Sequence, residues 1–182
     1  MLFLASRSPR RRELLQRLGV EFDTVDINIE EIWDGKESAE EYVSRLALSK
    51  AQAGKEIAGK NWPILASDTE VVVDGRILGK PNDNEHAMSM LMSLSGRSHE
   101  VLSAVTLLDK TQQTVVSKNR LSFRAITEDE CFQYVESGES DDKAGAYAIQ
   151  GRAASFITRL EGSYSSVMGL PLLETSKLVE FV

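Results

Sequence analysis

The sequence predicts a mixed α/β domain, and three observations carry that reading. Short apolar runs alternate with amphipathic helical stretches from one end to the other. No repeat, low-complexity tract or Pro/Gly/Ser-rich linker breaks the alternation. The 182 residues also match one domain, since domains hold roughly 100 to 200 residues.

The elements follow in order. Leu2-Phe3-Leu4-Ala5 reads as a buried strand. Ser8 can cap a helix with Pro9 at its first position, where a missing N–H costs nothing. That helix presents Leu14, Leu15 and Leu18 and stops at Gly19. Ser38 and Glu41 have capping-box spacing ahead of a long helix. Its stripe runs through Tyr42, Val43, Leu46, Ala47 and Ala51, with Lys50 beside it. Ile64–Ala66 is a short strand. Val71–Val73 and Arg76–Leu78 flank Asp74-Gly75, a two-residue hairpin turn. Asn84 caps a helix through Leu94 that Gly96 ends. Val101–Leu108 and Val115–Phe123 pair around Asp109-Lys110. Thr127 and Glu130 repeat the capping box before a helix ending near Gly138. Asp142–Gly151 is rich in Gly and Ala and reads as a functional loop. Phe156-Ile157 suits a strand, Gly162-Ser163 a turn, and Pro171 the start of the last helix.

Composition excludes several function classes. With 21 Lys+Arg against 28 Asp+Glu the net charge is −7, which argues against broad nucleic-acid binding. One cysteine and two histidines leave neither a disulfide framework nor a Cys/His zinc cluster. The apolar run Leu2–Ala5 is far short of the roughly 20 residues of a membrane span, and the basic stretch follows it, the reverse of a secretory signal. A soluble, cytoplasmic protein in a reduced compartment is expected.

Six places in the sequence could carry chemistry. Ser6-Arg7-Ser8-Pro9-Arg10-Arg11-Arg12 is a strand-to-helix junction. Each arginine there opposes the helix dipole by about 0.3 to 1 kcal/mol, a conflict that an anion on the helix N-terminus would remove. A solvated basic turn fits the same residues. It is not a P-loop, for the G-x-x-x-x-G-K-[ST] pattern is absent. Asp68, in Ser67-Asp68-Thr69-Glu70 just after a short strand, could hold a divalent cation, accept a proton from water or cap the next turn. Lys50 and Lys80 could meet phosphate or simply solvate a surface. In Lys143–Gly151 small residues allow close backbone approach, and the Gln150 amide could read a base edge; a compact turn is the alternative. Glu30-Glu31 could complete a hard-cation site with Asp68, or form an acidic edge.

His86 and His99 fall outside all these clusters, so histidine catalysis is not expected. Cys131 lies on an amphipathic helix and suits the core.

Together the segments resemble the Maf family of nucleoside triphosphate pyrophosphatases. The matching blocks are LASRSPRRRELL (Leu4–Leu15), EYVSRLALSKA (Glu41–Ala51), ASDTEVVVDGRILGKP (Ala66–Pro81), KAGAYAIQG (Lys143–Gly151) and GSYSSVMGLP (Gly162–Pro171). The resemblance implies a Maf/inosine-triphosphate-pyrophosphatase-like fold: an elongated mixed sheet with flanking helices, in two lobes around a central cleft. Residues 1–182 would then be one domain of two lobes without a linker. It further implies hydrolysis of the α–β phosphoanhydride of a nucleotide, giving a nucleoside monophosphate and pyrophosphate. Asp68 falls on the family's proton acceptor. Ser6, Arg10, Arg11, Lys50 and Lys80 fall on phosphate-binding positions. Arg10, Thr69 and Gln150 fall on positions of substrate selection. Glu31, with Asp68, is the implied holder of a divalent cation, Mg²⁺ or Mn²⁺. KAGAYAIQG resembles the dTTP/UTP subgroup, which leaves modified pyrimidine nucleotides open as further substrates. The rivals are the same reaction on 7-methyl-GTP and a non-catalytic nucleotide-sensing regulator of septum formation. The implied partners are a nucleoside triphosphate and, from the family alone, a second copy in a symmetric homodimer; neither a nucleic-acid polymer nor a membrane is expected. Ser166 departs from the pattern, because relatives often have Asn there.

A free Asp, with a pKa of about 3.9, is a weak base toward water of pKa about 15.7. A bound cation that acidifies water and offsets phosphate charge would close part of that gap.

Overall fold

The computed structural model describes residues 1–59 and 61–180. The apolar run at the start forms strand β1 (Leu2–Ala5), with Leu2, Leu4 and Ala5 buried. It pairs in parallel with β2 (Phe22–Val25), Leu2 opposite Phe22, and with β3 (Ile64–Val73), Phe3 opposite Ile64. Parallel neighbours need crossover connections. Helices α1 (Pro9–Gln16) and α2 (Ala39–Ala58) supply them. Ser8 caps α1 by accepting the Arg11 N–H, with Pro9 at the first position. Ser38 and Glu41 close the capping box of α2 in both directions.

Next come β4 (Arg76–Ile77), α3 (Asn84–Leu94), β5 (Ser98–Leu108), β6 (Gln112–Phe123) and α4 (Glu128–Val135). Then follow β7 (Ile157–Glu161), α5 (Tyr164–Met168) and α6 (Leu172–Val179), with 3-10 turns at Ala144–Ala146 and Arg152–Phe156. The strands form one mixed sheet in the order β2-β1-β3-β5-β6-β7, with β4 paired to β3. Asp74 and Gly75 both have positive φ, 51° and 74°, and Val73 faces Arg76 across them, as a two-residue hairpin requires. No helix among the described residues is long and apolar enough to cross a membrane.

The chain divides into two compact units: Met1–Thr69 with Ser103–Ser117 and Ser165–Val182, and Glu70–Leu102 with Lys118–Tyr164. In the first, Ala5, Val25, Ile27, Ala51, Ile64 and Ala66 form a buried cluster. Gly54 sits on the buried side of α2, where an added Cβ would lie 2.6 Å from Ala5 Cβ and 3.0 Å from Ile64 Cγ2. The absence of a side chain there lets α2 lie directly on β1 and β3. The second unit is built on rings: Phe123 lies 5.0 Å from both His99 and Tyr147, and Tyr134 lies 5.6 Å from Phe156.

Several boundaries differ from the sequence reading. Ile64–Ala66 and Val71–Val73 are one continuous strand. Asp68 therefore lies inside β3, not at its C-terminal end. Polar Ser67, Asp68 and Glu70 mimic a strand end, yet all three are buried. β2 and α5 were not expected, and half-exposed β2 shows why, having too few apolar residues to signal. Asp83, one residue before Asn84, caps α3 by accepting the His86 N–H. The last strand begins only at Ile157, after a 3-10 turn that contains Phe156.

Candidate active site

Side chains alternate along a strand, so Ile64, Ala66 and Asp68 share one face of β3 and Leu65, Ser67 and Thr69 the other. The first face meets α2. Lys50 lies one turn before Gly54 on the buried stripe, and its Nζ reaches Asp68 Oδ1 at 2.5 Å and Glu31 Oε1 at 2.6 Å. Glu31 comes from the segment between β2 and α2. Lys50 is only 7% exposed and Asp68 3%. Their charges are thus held where solvation is poor, and one ammonium serves two carboxylates. Asp68 Oδ2 is buried with no hydrogen-bond partner. A buried carboxylate oxygen with no donor is costly, and functional sites are where such costs are tolerated.

Glu31 and Asp68, the expected cation holders, are thus brought together, with Lys50 between them. Among the described residues no group of three or more His, Cys, Asp or Glu is placed to hold a metal. Two carboxylates still fit Mg²⁺ or Mn²⁺, because Mg²⁺ commonly takes one or two carboxylates plus substrate phosphates and waters.

The other face of β3 meets the loop after α5. Ser67 Oγ lies 2.7 Å from the Ala104 carbonyl and 2.9 Å from that of Gly169. The same Gly169 carbonyl accepts Arg11 Nε–H at 2.8 Å. Gly169 has φ of +119°, and a Cβ there would sit 3.4 Å from Arg11 Nε. Glycine lets this backbone turn its carbonyl to the guanidinium. Ser6 Oγ accepts the Ser8 N–H at 3.1 Å, and Ser8 Oγ accepts that of Arg11 at 3.4 Å. Arg10 and Arg11 are half-buried, whereas Arg7 and Arg12 are exposed. Thr69 Oγ1 meets Ser103 Oγ at 2.8 Å, and Ser103 Oγ donates to the Ser166 carbonyl at 2.7 Å. Ser166 is fully buried, and the group it offers Ser103 is one that any residue supplies.

The second unit holds Lys80 and Gln150, both exposed. The Gly145 N–H donates to the Gly79 carbonyl at 2.8 Å, tying the residue before Lys80 to the Lys143–Gly151 segment. That segment is pinned further by the Ala148 N–H on Tyr134 Oη at 3.1 Å and by Tyr147 Oη against His99 Nε2 at 2.7 Å. His99 therefore does not stand apart from the predicted clusters, as the sequence reading had it. Burial pushes its pKa down to about 4 and the Tyr147 phenol upward, so both are neutral near pH 7. Cys131 is buried in α4 and its thiol pKa is raised by burial and by Glu128. This suits the core and not a nucleophile.

Sequence reasoning missed Ser67, Ser103 and Gly169. Serines are too common to stand out singly, and the available signal was that Ser67 and Gly169 lie in the matching blocks Ala66–Pro81 and Gly162–Pro171.

A family model described as Maf-like protein matches residues 1–182. The chain belongs to the Maf family. Three Maf relatives, each named dTTP/UTP pyrophosphatase, align over 98% of it. The protein from Methylococcus capsulatus is 51% identical and covered over 89% of its own length. The Alkalilimnicola ehrlichii protein is 47% identical over 91% of its length. The Vibrio parahaemolyticus protein is 49% identical over 95%.

Proposed function

We propose that this Maf protein hydrolyses dTTP and UTP to the nucleoside monophosphate and pyrophosphate. The observation that carries the reading is the buried Asp68, with one oxygen on the Lys50 ammonium and the other without a donor. The names of relatives at 47–51% identity support the choice of substrate. Lys50 fixes Oδ1 and so aims Oδ2. Oδ2 takes a proton from a water whose oxygen bonds to the α-phosphorus. The bond from that phosphorus to the bridging oxygen breaks, and its electron pair leaves with pyrophosphate. Ser6, Arg10 and Arg11 hold phosphate oxygens, with Arg11 oriented by the Gly169 carbonyl. Such chemistry depends mainly on positioning and charge. Lys80 adds a phosphate contact, and Thr69 and Gln150 select the base. Glu31 and Asp68 would hold a divalent cation, which when bound supplies acidity to water and offsets phosphate charge.

A nucleotide panel with pyrophosphate detection, with and without Mg²⁺ or Mn²⁺, tests this. Release from dTTP and UTP well above that from purine nucleotides is expected. Equal rates on purines, a preference for 7-methyl-GTP, or saturable binding without product would overturn it.

A further inference from the structure

Thr69 Oγ1 and Ser103 Oγ are 2.8 Å apart, and at that distance either hydroxyl could be the donor. The next bond in the chain decides. A hydroxyl carries one hydrogen. Ser103 spends its own on the Ser166 carbonyl, which can only accept. Ser103 is fully buried, so no solvent offers an alternative arrangement. Thr69 must therefore donate to Ser103, and its hydrogen is committed. What half-buried Thr69 can offer a ligand is an oxygen lone pair only.

We infer that Ser103 is a positioning residue for base selection: it fixes the Thr69 hydroxyl as an acceptor, so that the site takes a base carrying an N–H donor and disfavours one carrying an acceptor there. The imide of uracil or thymine has a hydrogen on N3. Cytosine presents a bare N3 lone pair, which would face the Thr69 oxygen with nothing between them. The inference rests on the proposal that Thr69 contacts the base, and it predicts discrimination between two pyrimidines of the same size, which a pocket wall could not provide.

The test is kcat/KM for UTP and CTP in the full-length protein and in Ser103→Ala, Ser103→Thr and Thr69→Val. Removing the Ser103 hydroxyl frees Thr69 to donate. Ser103→Ala should therefore lower the UTP-over-CTP ratio by roughly tenfold or more, as expected when a polar mismatch is relieved, mainly through the KM of CTP. Ser103→Thr keeps a hydroxyl and should restore the ratio. If Ser103→Ala does not fold, Ser103→Cys, a weak donor, must show a fall in the same direction. Should Thr69→Val change the ratio while Ser103→Ala leaves it intact, Thr69 reads the base without Ser103 and the inference is wrong. Should Thr69→Val leave the ratio unchanged, Thr69 is not at the base and the inference goes with it. A wild-type protein that releases no pyrophosphate from UTP refutes the proposed function instead.

Discussion

Replacing Lys50 by Met keeps the length of the side chain and removes its charge from between Asp68 and Glu31. The Lys50 side chain is 8% exposed and that of Asp68 5%, so solvent does little to screen the loss. Breaking such a buried pair costs about 3–5 kcal/mol, since the partner charge stays behind. For a chain of this size each kcal/mol shifts Tm by about 2–4 °C, giving a fall of about 6–20 °C. Glu31 is 26% exposed and tolerates the change better, so most of the cost resides in Asp68. In an Asp68→Asn background, Lys50→Met should therefore cost at least about 1 kcal/mol less, a coupling within the range for contacting residues. Thermal unfolding of the four proteins at pH 7 measures it. A Tm drop below about 2 °C for Lys50→Met, or additivity of the two changes, would refute a charge cluster whose members depend on one another.

Three other outcomes are expected. Asp68→Asn should retain nucleotide binding and lose about 10²–10⁴ in kcat, the usual worth of a positioned base; near-normal pyrophosphate release would remove Asp68 from that role. His99 has a folded-state pKa of about 4 against an ordinary 6.5, so the unfolded chain binds the extra proton. Its contribution is complete above about pH 6.5 and is lost as pH falls toward 4, about 3 kcal/mol in all. Urea midpoints across that window should flatten in His99→Gln, and an unchanged slope would mean that other groups drive it. Gly54→Ala gains about 1 kcal/mol of helix propensity but places Cβ 2.6 Å from Ala5 Cβ. Overpacking of about 1–3 kcal/mol should win, and a raised Tm would show that α2 can lift off β1 at little cost.

The layout of the chain was legible wherever local chemistry is one-dimensional. Ser38-Glu41 and Thr127-Glu130 are capping boxes in the structure as in the sequence, and Asp74-Gly75 is the hairpin turn. The interior of β3 was not legible, because burial of Ser67, Asp68 and Glu70 depends on partners far away in the sequence. The site divides in the same manner. Residue types flagged Asp68, Lys50 and Glu31, yet only the fold shows one ammonium serving both carboxylates. Nothing near Ser103 or His99 in the sequence reveals a bonding partner 63 or 48 residues further on.

The bond between Arg11 and the Gly169 carbonyl joins residues 158 positions apart. On the ribosome the guanidinium is made 158 residues before the group that aims it. A nascent chain halted before Gly169 would display the basic turn without that carbonyl. This contact of the arginine thereby waits on the synthesis of Gly169.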